Sequence, residues 1–328
     1  MMKRILLLDT SVGSLNMGDE IINRSIAANW PELFASNYVM RMASHTPTHT
    51  PLQYLLSRRK LDPFKTADLK FLCGTNALYT NMLRPLPAWN INYLNCGLAA
   101  GTVCLGVGAG VNSASVNLYT RALFRKVLAH DVVHSVRDDR TKRLLETIGL
   151  RAWNTGCPTL WGLTPEHCAS IPQSKSSTVV FTLTSYQPDR DNDAAMIGIL
   201  REHYRRICFW PQGVDDLAYL RSLSDMSGIE VVPPNVDAYR AVLETGVDYV
   251  GNRLHGGIFA LQQGCRAIII SIDYRAREMG KDYSLTLVER PDITAALPRM
   301  IEGRWETKLD GLDFALIERW KAQFNVGS

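Results

Sequence analysis

Arg253, His255, Gly256 and Gly257 lie where the apolar run 247–250 gives way to a helical pattern. An arginine can hold a carboxylate or phosphate through two parallel hydrogen bonds. Histidine is the side chain that most readily exchanges a proton near neutral pH. Glycines let the backbone approach a ligand closely or adopt positive φ values, and a helix start favours negative charge. This turn therefore predicts an anion site beside a proton donor. The alternative is that Arg253 and His255 are surface residues at the end of a loop.

A second arginine occupies the same kind of position in an earlier part of the chain. Arg137 follows the apolar run 132–136 and precedes the helical pattern 139–148, which Asp138 or Asp139 would cap. Ligands of open α/β sheets bind at the carboxyl ends of the strands. Arg137 and Arg253 could therefore converge on one anion, or Arg137 could simply pair with a neighbouring aspartate.

Two glycine-bearing loops have the spacing of phosphate sites but lack other features of such sites. In the first, GSLNMGDE at 13–20, Asp19 and Glu20 stand where a nucleotide-binding loop has Lys and Ser or Thr. Carboxylates at a helix start favour hydroxyl recognition or simple capping, and both remain open for Asp19. The second, LGVGAGV at 105–111, has no acidic partner at the distance typical of dinucleotide sites, so it indicates only close packing or close approach of a ligand.

The remaining candidates favour structural roles. Cys157 has no histidine near it in sequence, which favours a buried thiol over a nucleophile. His45 and His49 are separated by a proline, and His134, four residues after His130, falls in a predicted strand. Neither pair has a third ligand, so we predict no metal.

The elements that position these residues alternate between short apolar runs and amphipathic segments, which predicts parallel βαβ units and an α/β fold. The segment 41–51 is rich in Thr, His and Pro and is predicted to be a loop. We predict strands at 5–8, 69–73, 103–107, 132–136, 179–183, 207–210, 229–232, 247–250 and 267–270. We predict helices at 19–30, 118–129, 139–148, 193–206, 215–224, 236–244, 258–262 and 312–324.

The chain of 328 residues is long enough for two domains. The polar stretch 164–177 has no periodicity and is predicted to be a linker, which divides the chain into domains 1–172 and 173–328. The last helix, 312–324, could pack back on the first domain. A cleft between two such halves is a common place for a small-molecule site.

Composition narrows the classes of protein that the chain can represent. Apolar residues make up 46%, charged residues 21%, and the net charge is +4, which indicates a globular protein rather than a nucleic-acid binder. The seven cysteines are scattered without C-x-x-C spacing, which suits a reducing compartment. No run approaches the ~20 apolar residues of a membrane span, and the first apolar run is too short for a signal peptide. We expect a cytoplasmic protein that contacts the inner face of the membrane if its substrate is lipid-linked.

Several motifs together resemble the polysaccharide pyruvyltransferase family. They are NMGDE, GVGAG, SVRDDRT and RLHGGIFALQQG followed by Asp273 and Tyr274, and the resemblance spans roughly residues 5–280. It implies two Rossmann-like domains in a GT-B-like arrangement, mostly with parallel sheets. It also implies transfer of pyruvate from phosphoenolpyruvate to two hydroxyls of a sugar, forming a cyclic ketal. Such enzymes modify capsules, exopolysaccharides and cell-wall polymers.

The resemblance also implies roles for particular residues on the donor side. Arg137, Arg253, Leu254 and His255 match the positions that hold phosphoenolpyruvate, and the helix that begins near Gly256 would assist them. The second domain would be the donor side and the first domain the acceptor side. No metal and no cofactor beyond the donor substrate is required.

Proton transfer and acceptor binding complete the scheme. His255 is the candidate general acid, and Asp19 or Glu20 could take a proton from the acceptor hydroxyl. Asn16, Asp19, Glu20 and Asn76 are the candidate acceptor-binding residues. The expected partners are phosphoenolpyruvate and a free, nucleotide-linked or lipid-linked sugar.

Two other functions remain compatible with this sequence. A GT-B glycosyltransferase that uses a nucleotide sugar would also have two Rossmann-like halves and an anion site in the second half. A non-catalytic member of the fold that binds a glycan is the other alternative.

Overall fold

A computed structural model of the chain describes residues 2–83, 87–110 and 115–325. All pairs between its strands are parallel, and helices alternate with the strands along the chain. The strands are β1 (Arg4–Asp9), β2 (Tyr38–Ala43), β3 (Leu69–Cys73), β4 (Thr102–Leu105), β5 (His134–Val136), β6 (Ala152–Asn154), β7 (Thr178–Thr182), β8 (Arg206–Phe209), β9 (Ile229–Val231), β10 (Asp248–Gly251), β11 (Ala267–Ser271) and β12 (Leu287–Glu289). The predicted α/β fold class with mostly parallel sheets is confirmed.

Fourteen α-helices occur in the described part of the chain. They are α1 (Gly18–Asn29), α2 (Glu32–Ala35), α3 (Pro51–Leu56), α4 (Arg58–Lys65), α5 (Leu118–Val127), α6 (Asp139–Thr147), α7 (Pro165–Ser170), α8 (Arg190–His203), α9 (Asp216–Leu223), α10 (Val236–Leu243), α11 (Leu254–Gln262), α12 (Tyr274–Tyr283), α13 (Ile293–Glu302) and α14 (Phe314–Ala322). Short 3₁₀ helices span Cys96–Ala99, Pro158–Leu160 and Arg290–Asp292.

The chain forms two compact units. The first consists of Met1–Ser14, Ile22–Trp161 and Asp313–Ser328, and the second consists of Leu15–Ile21 and Gly162–Leu312. The change of unit after Trp161 precedes the boundary at residue 172 that the sequence suggested. The polar stretch 164–177 belongs to the second unit, and it contains α7, which Thr164 caps by accepting a hydrogen bond from the His167 amide.

The first unit has a four-stranded sheet in the order β2-β1-β3-β4, and the pair β5-β6 adjoins β4 through a parallel bridge between Val107 and Val136. β1 and β3 are almost wholly buried, as their apolar sequences require. Trp320 on α14 packs within this unit: its ring lies 5.5 Å from that of Trp30, and its Nε1 donates to the Val133 carbonyl at 2.7 Å. The carboxyl ends of β3 and β5 lead to Asn76 and Arg137 respectively.

The second unit has a six-stranded sheet in the order β12-β11-β10-β7-β8-β9. Successive strands extend in one direction from β7 and in the other from β10, so the topology reverses between these two neighbours. Ligands of open α/β sheets bind at the carboxyl ends of strands beside such a reversal. The chain leaving β10 there carries Arg253 and His255.

Several predicted boundaries and one loop differ from the structure. The segment 41–51 was predicted to be a loop, but β2 occupies its first residues and α3 begins at its last. β2 is an edge strand with no fully buried residue, so it lacks the apolar run that identified the other strands. Helices α3 and α4 also bury no residue, and neither was predicted.

No helix within residues 2–83, 87–110 and 115–325 combines the length and the apolar character needed to cross a bilayer.

Candidate functional site

Arg253 is held by a buried carboxylate at the reversal point of the second unit's sheet. Its Nε donates to Oδ2 of Asp216 at 3.0 Å, and its Nη2 donates to Oδ1 of the same residue. Asp216 is fully buried and also accepts hydrogen bonds from the amides of Gly213 at 2.7 Å and Ser185 at 3.1 Å. The bidentate pair fixes the plane of the guanidinium.

Only one edge of the Arg253 guanidinium is paired with Asp216, and the residue is 6% exposed. A guanidinium has five N–H donors, and Asp216 occupies only the edge formed by Nε and Nη2. Nη1 makes no hydrogen bond within the described part of the chain, and the guanidinium carbon lies 5.2 Å from the centre of the Tyr186 ring. The edge formed by Nη1 and Nη2 can therefore receive a carboxylate or phosphate in a fixed orientation. Because Asp216 offsets the charge, Arg253 contributes directed donors more than net positive potential.

His255 lies in the first turn of α11, where the loop before α1 packs against it. A Cβ atom on Gly18 would lie 3.2 Å from Nδ1 of His255. The loop is held there because Oδ1 of Asn16 accepts hydrogen bonds from Nε2 of Gln212 at 2.8 Å and from the Gly18 amide at 3.0 Å. The Met17 amide donates to the Gln212 carbonyl at 2.9 Å. His255 and the predicted acceptor-binding Asn16 thus belong to one cluster.

The predicted carboxylates follow this loop in the first turn of α1. Asp19 is buried and Glu20 is half-buried, and the Asp19 amide donates to the Asn16 carbonyl at 3.2 Å. Residues 15–21 belong to the second unit, although the sequence analysis assigned the loop to the first domain. Backbone hydrogen bonds from Met17 to Gln212 and from Val214 to Leu15 account for this placement.

The glycines after His255 serve packing rather than unusual backbone geometry. Gly256 and Gly257 are helical and neither has a positive φ, so this turn does not use the positive φ that glycine permits. A Cβ on Gly256 would meet Oε1 of Gln212 at 2.8 Å, and one on Gly257 would meet the Tyr249 ring at 2.8 Å. Leu254, a predicted donor-binding residue, is half-buried at the first position of α11. No side chain caps this helix, so a bound anion could use its first amides.

A second buried carboxylate supports the residue before Arg253. Asp193 is fully buried and accepts hydrogen bonds from Asn252 Nδ2 at 3.3 Å and from the Tyr219 hydroxyl at 2.7 Å. Burial raises the pKa of Asp193 and raises the pKa of Tyr219 to about 12. The hydrogen bond from Asn252 thus ties the β10–α11 turn to α8, which carries Asp193.

A more exposed ionic group lies after β11. Arg275 donates from Nε at 2.9 Å and from Nη2 at 2.6 Å to Oδ2 of Asp273, and Nη2 also donates to the Tyr186 hydroxyl at 3.0 Å. Tyr186 therefore contacts both Arg253 and Arg275. Asp273 also caps α12 by accepting from the Ala276 amide.

Arg137, the other predicted donor-binding arginine, lies in the first unit together with Asn76. Nη2 of Arg137 donates to Oδ1 of Asn76, and its Nε lies 3.9 Å from Oδ2 of Asp138. Arg137 is 4% exposed and packs over Gly108, where a Cβ atom would clash with the guanidinium. The glycine cluster at 105–111 thus provides close packing, with its last residue outside the described part. The convergence of Arg137 and Arg253 on one anion stays a prediction.

Sequence reasoning missed Gln212 and Asp216, although both hold predicted residues in place. They lie in the segment PQGVDD that follows β8, so their place at a strand end was a usable signal. What the sequence could not show is that Asp216 pairs with Arg253 and Gln212 with Asn16, because these contacts join distant parts of the chain.

Three further features of the described residues concern metal binding, Cys157 and a cavity. Within residues 2–83, 87–110 and 115–325, no three His, Cys, Asp or Glu side chains come together in a way that could hold a metal ion. Cys157 is fully buried, as expected of a structural thiol. A cavity of about 490 Å³ lies in the first unit before β3 and β4, among Lys65, Lys70 and Lys126, and so at the edge opposite to the strand ends that carry Asn76 and Arg137.

Solved structures with the same fold match nearly the whole chain. The S. aureus MnaA–UDP co-structure has a TM-score of 0.52 at 10% identity. This match covers 99% of the present chain and 98% of the MnaA chain. The Methanocaldococcus jannaschii UDP-GlcNAc 2-epimerase in complex with UDP-GlcNAc and UDP has a TM-score of 0.52 at 10% identity. This match covers 98% of the present chain and 100% of the epimerase chain. These similarities show the fold alone, and they confirm the predicted GT-B-like fold class.

Sequence comparison identifies the family. Comparison with curated proteins gives no match. The sequence model of the family described as polysaccharide pyruvyl transferase matches residues 16–274, a span that begins at Asn16 of the NMGDE motif and contains Arg137, Arg253 and His255. The chain therefore belongs to the polysaccharide pyruvyl transferase family.

Proposed function

We propose that this protein transfers pyruvate from phosphoenolpyruvate to two hydroxyls of a sugar in a polysaccharide or its precursor. The observation that carries the proposal is the arrangement around Arg253. Asp216 fixes one edge of its guanidinium, the other edge makes no hydrogen bond from Nη1 within the described residues, and His255 lies two residues further along at the start of α11. This cluster offers a small anion both directed donors and a nearby proton.

The donor carries a carboxylate and a phosphate, and both need hydrogen-bond donors. We assign one of these anionic groups to the open edge of Arg253, assisted by the uncapped first turn of α11 at Leu254 and Gly256. Arg137, fixed by Asn76 in the first unit, is the second cation that the family resemblance implies. Its contact with the donor is part of the proposal.

The proposed reaction begins with a proton from His255 to the methylene carbon of phosphoenolpyruvate. The adjacent carbon becomes oxocarbenium-like, and a sugar hydroxyl attacks it while Asp19 or Glu20 accepts the hydroxyl proton. The C–O bond to phosphate then breaks, a neighbouring hydroxyl closes the ketal, and the departing phosphate takes up the proton of that hydroxyl. Phosphate and the pyruvylated sugar are the products. General acid catalysis of this kind contributes about two to four powers of ten in rate.

The acceptor side of the proposal rests on the loop before α1. Asn16 and Gly18 lie against the same cluster as His255, and Asp19 follows them in the same unit. A hydroxyl bound near Asn16 could therefore reach both a proton acceptor and the activated carbon. Asn76 lies beside Arg137 in the first unit, and its proposed part is to orient that arginine as well as to contact the acceptor.

A direct assay distinguishes this function from its main alternative. The protein is incubated with candidate sugar acceptors and either phosphoenolpyruvate or UDP-GlcNAc, and the release of phosphate or nucleotide is measured. We expect acceptor-dependent phosphate release with a mass increase of the sugar, and loss of both with His255→Gln. Nucleotide release without phosphate release would contradict the proposal.

The alternative is a GT-B enzyme that acts on nucleotide sugars. It is favoured by one observation, the similarity in fold over almost the full chain to the MnaA–UDP co-structure and to a UDP-GlcNAc 2-epimerase in complex with UDP-GlcNAc and UDP. A third outcome, a thermal shift with phosphoenolpyruvate but no turnover on any acceptor, would indicate a non-catalytic binding protein.

A further inference from the structure

Three leucines of α3 project from the surface of the first unit. Leu52 is 63% exposed, and Leu55 and Leu56 are each 75% exposed. Helices α3 and α4 bury no residue. Local capping instead holds α3 in place, because Thr50 and Gln53 form a reciprocal capping box. The helix is thus ordered without covering its apolar side chains.

Positive charge lies directly beside these leucines. Arg58, Arg59 and Lys60 form the first turn of α4 and are all exposed. Only Arg58 has a carboxylate nearby in the described structure, with its Nε 4.0 Å from Oδ1 of Asp62. Basic residues continue to the end of α4, where Lys65 lines the cavity that it shares with Lys70 and Lys126.

More apolar surface occurs on elements that adjoin α4. Leu94 is 73% exposed and Leu118 is 84% exposed, beside the Tyr93–Tyr119 pair whose rings lie 5.3 Å apart. The 3₁₀ helix Cys96–Ala99 packs against both α4 and α5 and joins these regions. On α3 itself, Leu52, Leu55 and Leu56 stand at i, i+3 and i+4 and so share one exposed face, and a contiguous apolar face rimmed by charge marks an interaction site.

We propose that α3, together with the basic first turn of α4, docks on the surface of an anionic membrane. Leucines that project beside a cluster of arginine and lysine are the pattern of a segment that lies in the interface, with its apolar side chains among acyl chains and its cations among headgroups. The described residues contain no helix able to cross a bilayer, so attachment through them would be peripheral. This proposal is independent of the donor chemistry proposed above.

Vesicle co-sedimentation of the full chain tests the proposal. Vesicles are made of phosphatidylcholine alone or with about 30% phosphatidylglycerol, since basic segments are attracted by anionic lipid. We expect binding to the anionic vesicles that weakens with added salt. Leu52→Gln/Leu55→Gln/Leu56→Gln should lose most of this binding. Arg58→Gln/Arg59→Gln/Lys60→Gln should weaken it about a hundredfold, from the typical contribution of each basic residue near a membrane.

A matched control removes the same charge elsewhere. Arg205, Arg221 and Lys281 are exposed residues of the second unit, and changing all three to Gln should leave vesicle binding as in the wild type. Circular dichroism verifies that each variant is folded. The proposal would be overturned by equal binding to both vesicle types, by no effect of the α3 and α4 changes, or by equal loss in the control. It would also be overturned if the leucine variant only dissociated a dimer in sedimentation analysis.

Discussion

Arg253 and Asp216 act as a pair, and each change at this pair has a different physical consequence. Asp216 is fully buried, so removal of Arg253 leaves a carboxylate without its cation in the interior. Removal of the carboxylate instead frees the guanidinium to rotate and to lose its directed edge. Substitutions at Arg253 and at Asp216 should therefore differ in their effects on the free energy of unfolding and on donor binding.

The pair predicts a measurable coupling in stability. Arg253→Ala should lower the free energy of unfolding by about 3–5 kcal/mol, the typical effect of breaking a buried ion pair. The double change Arg253→Ala/Asp216→Asn should recover part of that loss, because the uncompensated charge is removed. Urea unfolding of the two variants measures the difference. A double variant less stable than Arg253→Ala would contradict the role of Asp216 as the buried partner.

His255 should affect turnover more than donor binding. His255→Gln removes the proposed acid and should lower the rate of pyruvyl transfer by about two to four powers of ten. His130→Gln is a control, because this exposed residue contacts the Arg125 carbonyl and belongs to the first unit, whereas β10 and α11 belong to the second. Steady-state assays of phosphate release compare the two. Normal turnover in His255→Gln would remove this residue from the mechanism.

At the scale of elements, the loop after β4 leaves room for the Arg137 guanidinium because Gly108 has no side chain. A Cβ on Gly108 would clash with the guanidinium of Arg137 and would lie 2.7 Å from Oδ1 of Asn76. Gly108→Ala should therefore displace Arg137 and weaken donor binding at least about tenfold, in line with the loss of one charged hydrogen bond. Gly97→Ala, where a Cβ meets nothing within 4 Å, should leave donor affinity unchanged. Calorimetric titration with phosphoenolpyruvate measures the donor affinity of both variants. Equal affinities of Gly108→Ala and Gly97→Ala would contradict the proposed role of Arg137.

The sequence predicted most of the strands that bury an apolar run. It missed β2, α3 and α4, which bury no residue, and also α12 and α13, although both bury apolar side chains. β3 was predicted with its observed bounds, Leu69–Cys73, since most of its residues are buried. β2 lies at an edge with only intermediate and exposed residues, and α3 and α4, which bury none, are only six and eight residues long.

In the candidate site, residues that the neighbouring sequence identifies were predicted, and residues that depend on contacts between distant parts of the chain were not. Arg253 and His255 could be identified because a strand, a turn and a helix follow one another locally. The partners Asp216 and Gln212 could not, because tertiary pairing across the sheet selects them from many polar residues at strand ends. The glycines after His255 were interpreted as ligand-facing, whereas Gln212, Tyr249 and Ile269 occupy the space that they leave.

At the scale of the whole molecule, a buried histidine links stability to pH. His134 on β5 is fully buried, accepts a hydrogen bond from the Cys104 amide at 3.1 Å, and contacts the Ala129 carbonyl through Nε2 at 2.9 Å. Burial lowers the pKa of His134 to about 4 from its ordinary value of 6.5. Because the unfolded chain binds the proton more readily, this residue's contribution is complete above pH 6.5 and is lost as pH falls toward 4.

The expected effect is a loss of up to about 3 kcal/mol over that pH interval, from the typical free energy of a pKa shift of this size. His134→Gln keeps a donor and an acceptor but does not titrate, so its stability should fall less steeply between pH 6.5 and pH 4. Urea unfolding at several pH values compares the two proteins. Parallel pH profiles would show that His134 does not make this contribution.

The most direct test of the proposed function is calorimetric titration of phosphoenolpyruvate into the wild type and Arg253→Lys. Lysine keeps the charge beside Asp216 but lacks the planar edge that binds an anion bidentately. We expect the wild type to bind phosphoenolpyruvate. We expect Arg253→Lys to bind it at least about tenfold more weakly, which is the typical effect of losing a charged hydrogen bond. Equal affinities of the wild type and Arg253→Lys for phosphoenolpyruvate would contradict the proposed function. A wild type that binds UDP-GlcNAc but not phosphoenolpyruvate would also contradict it.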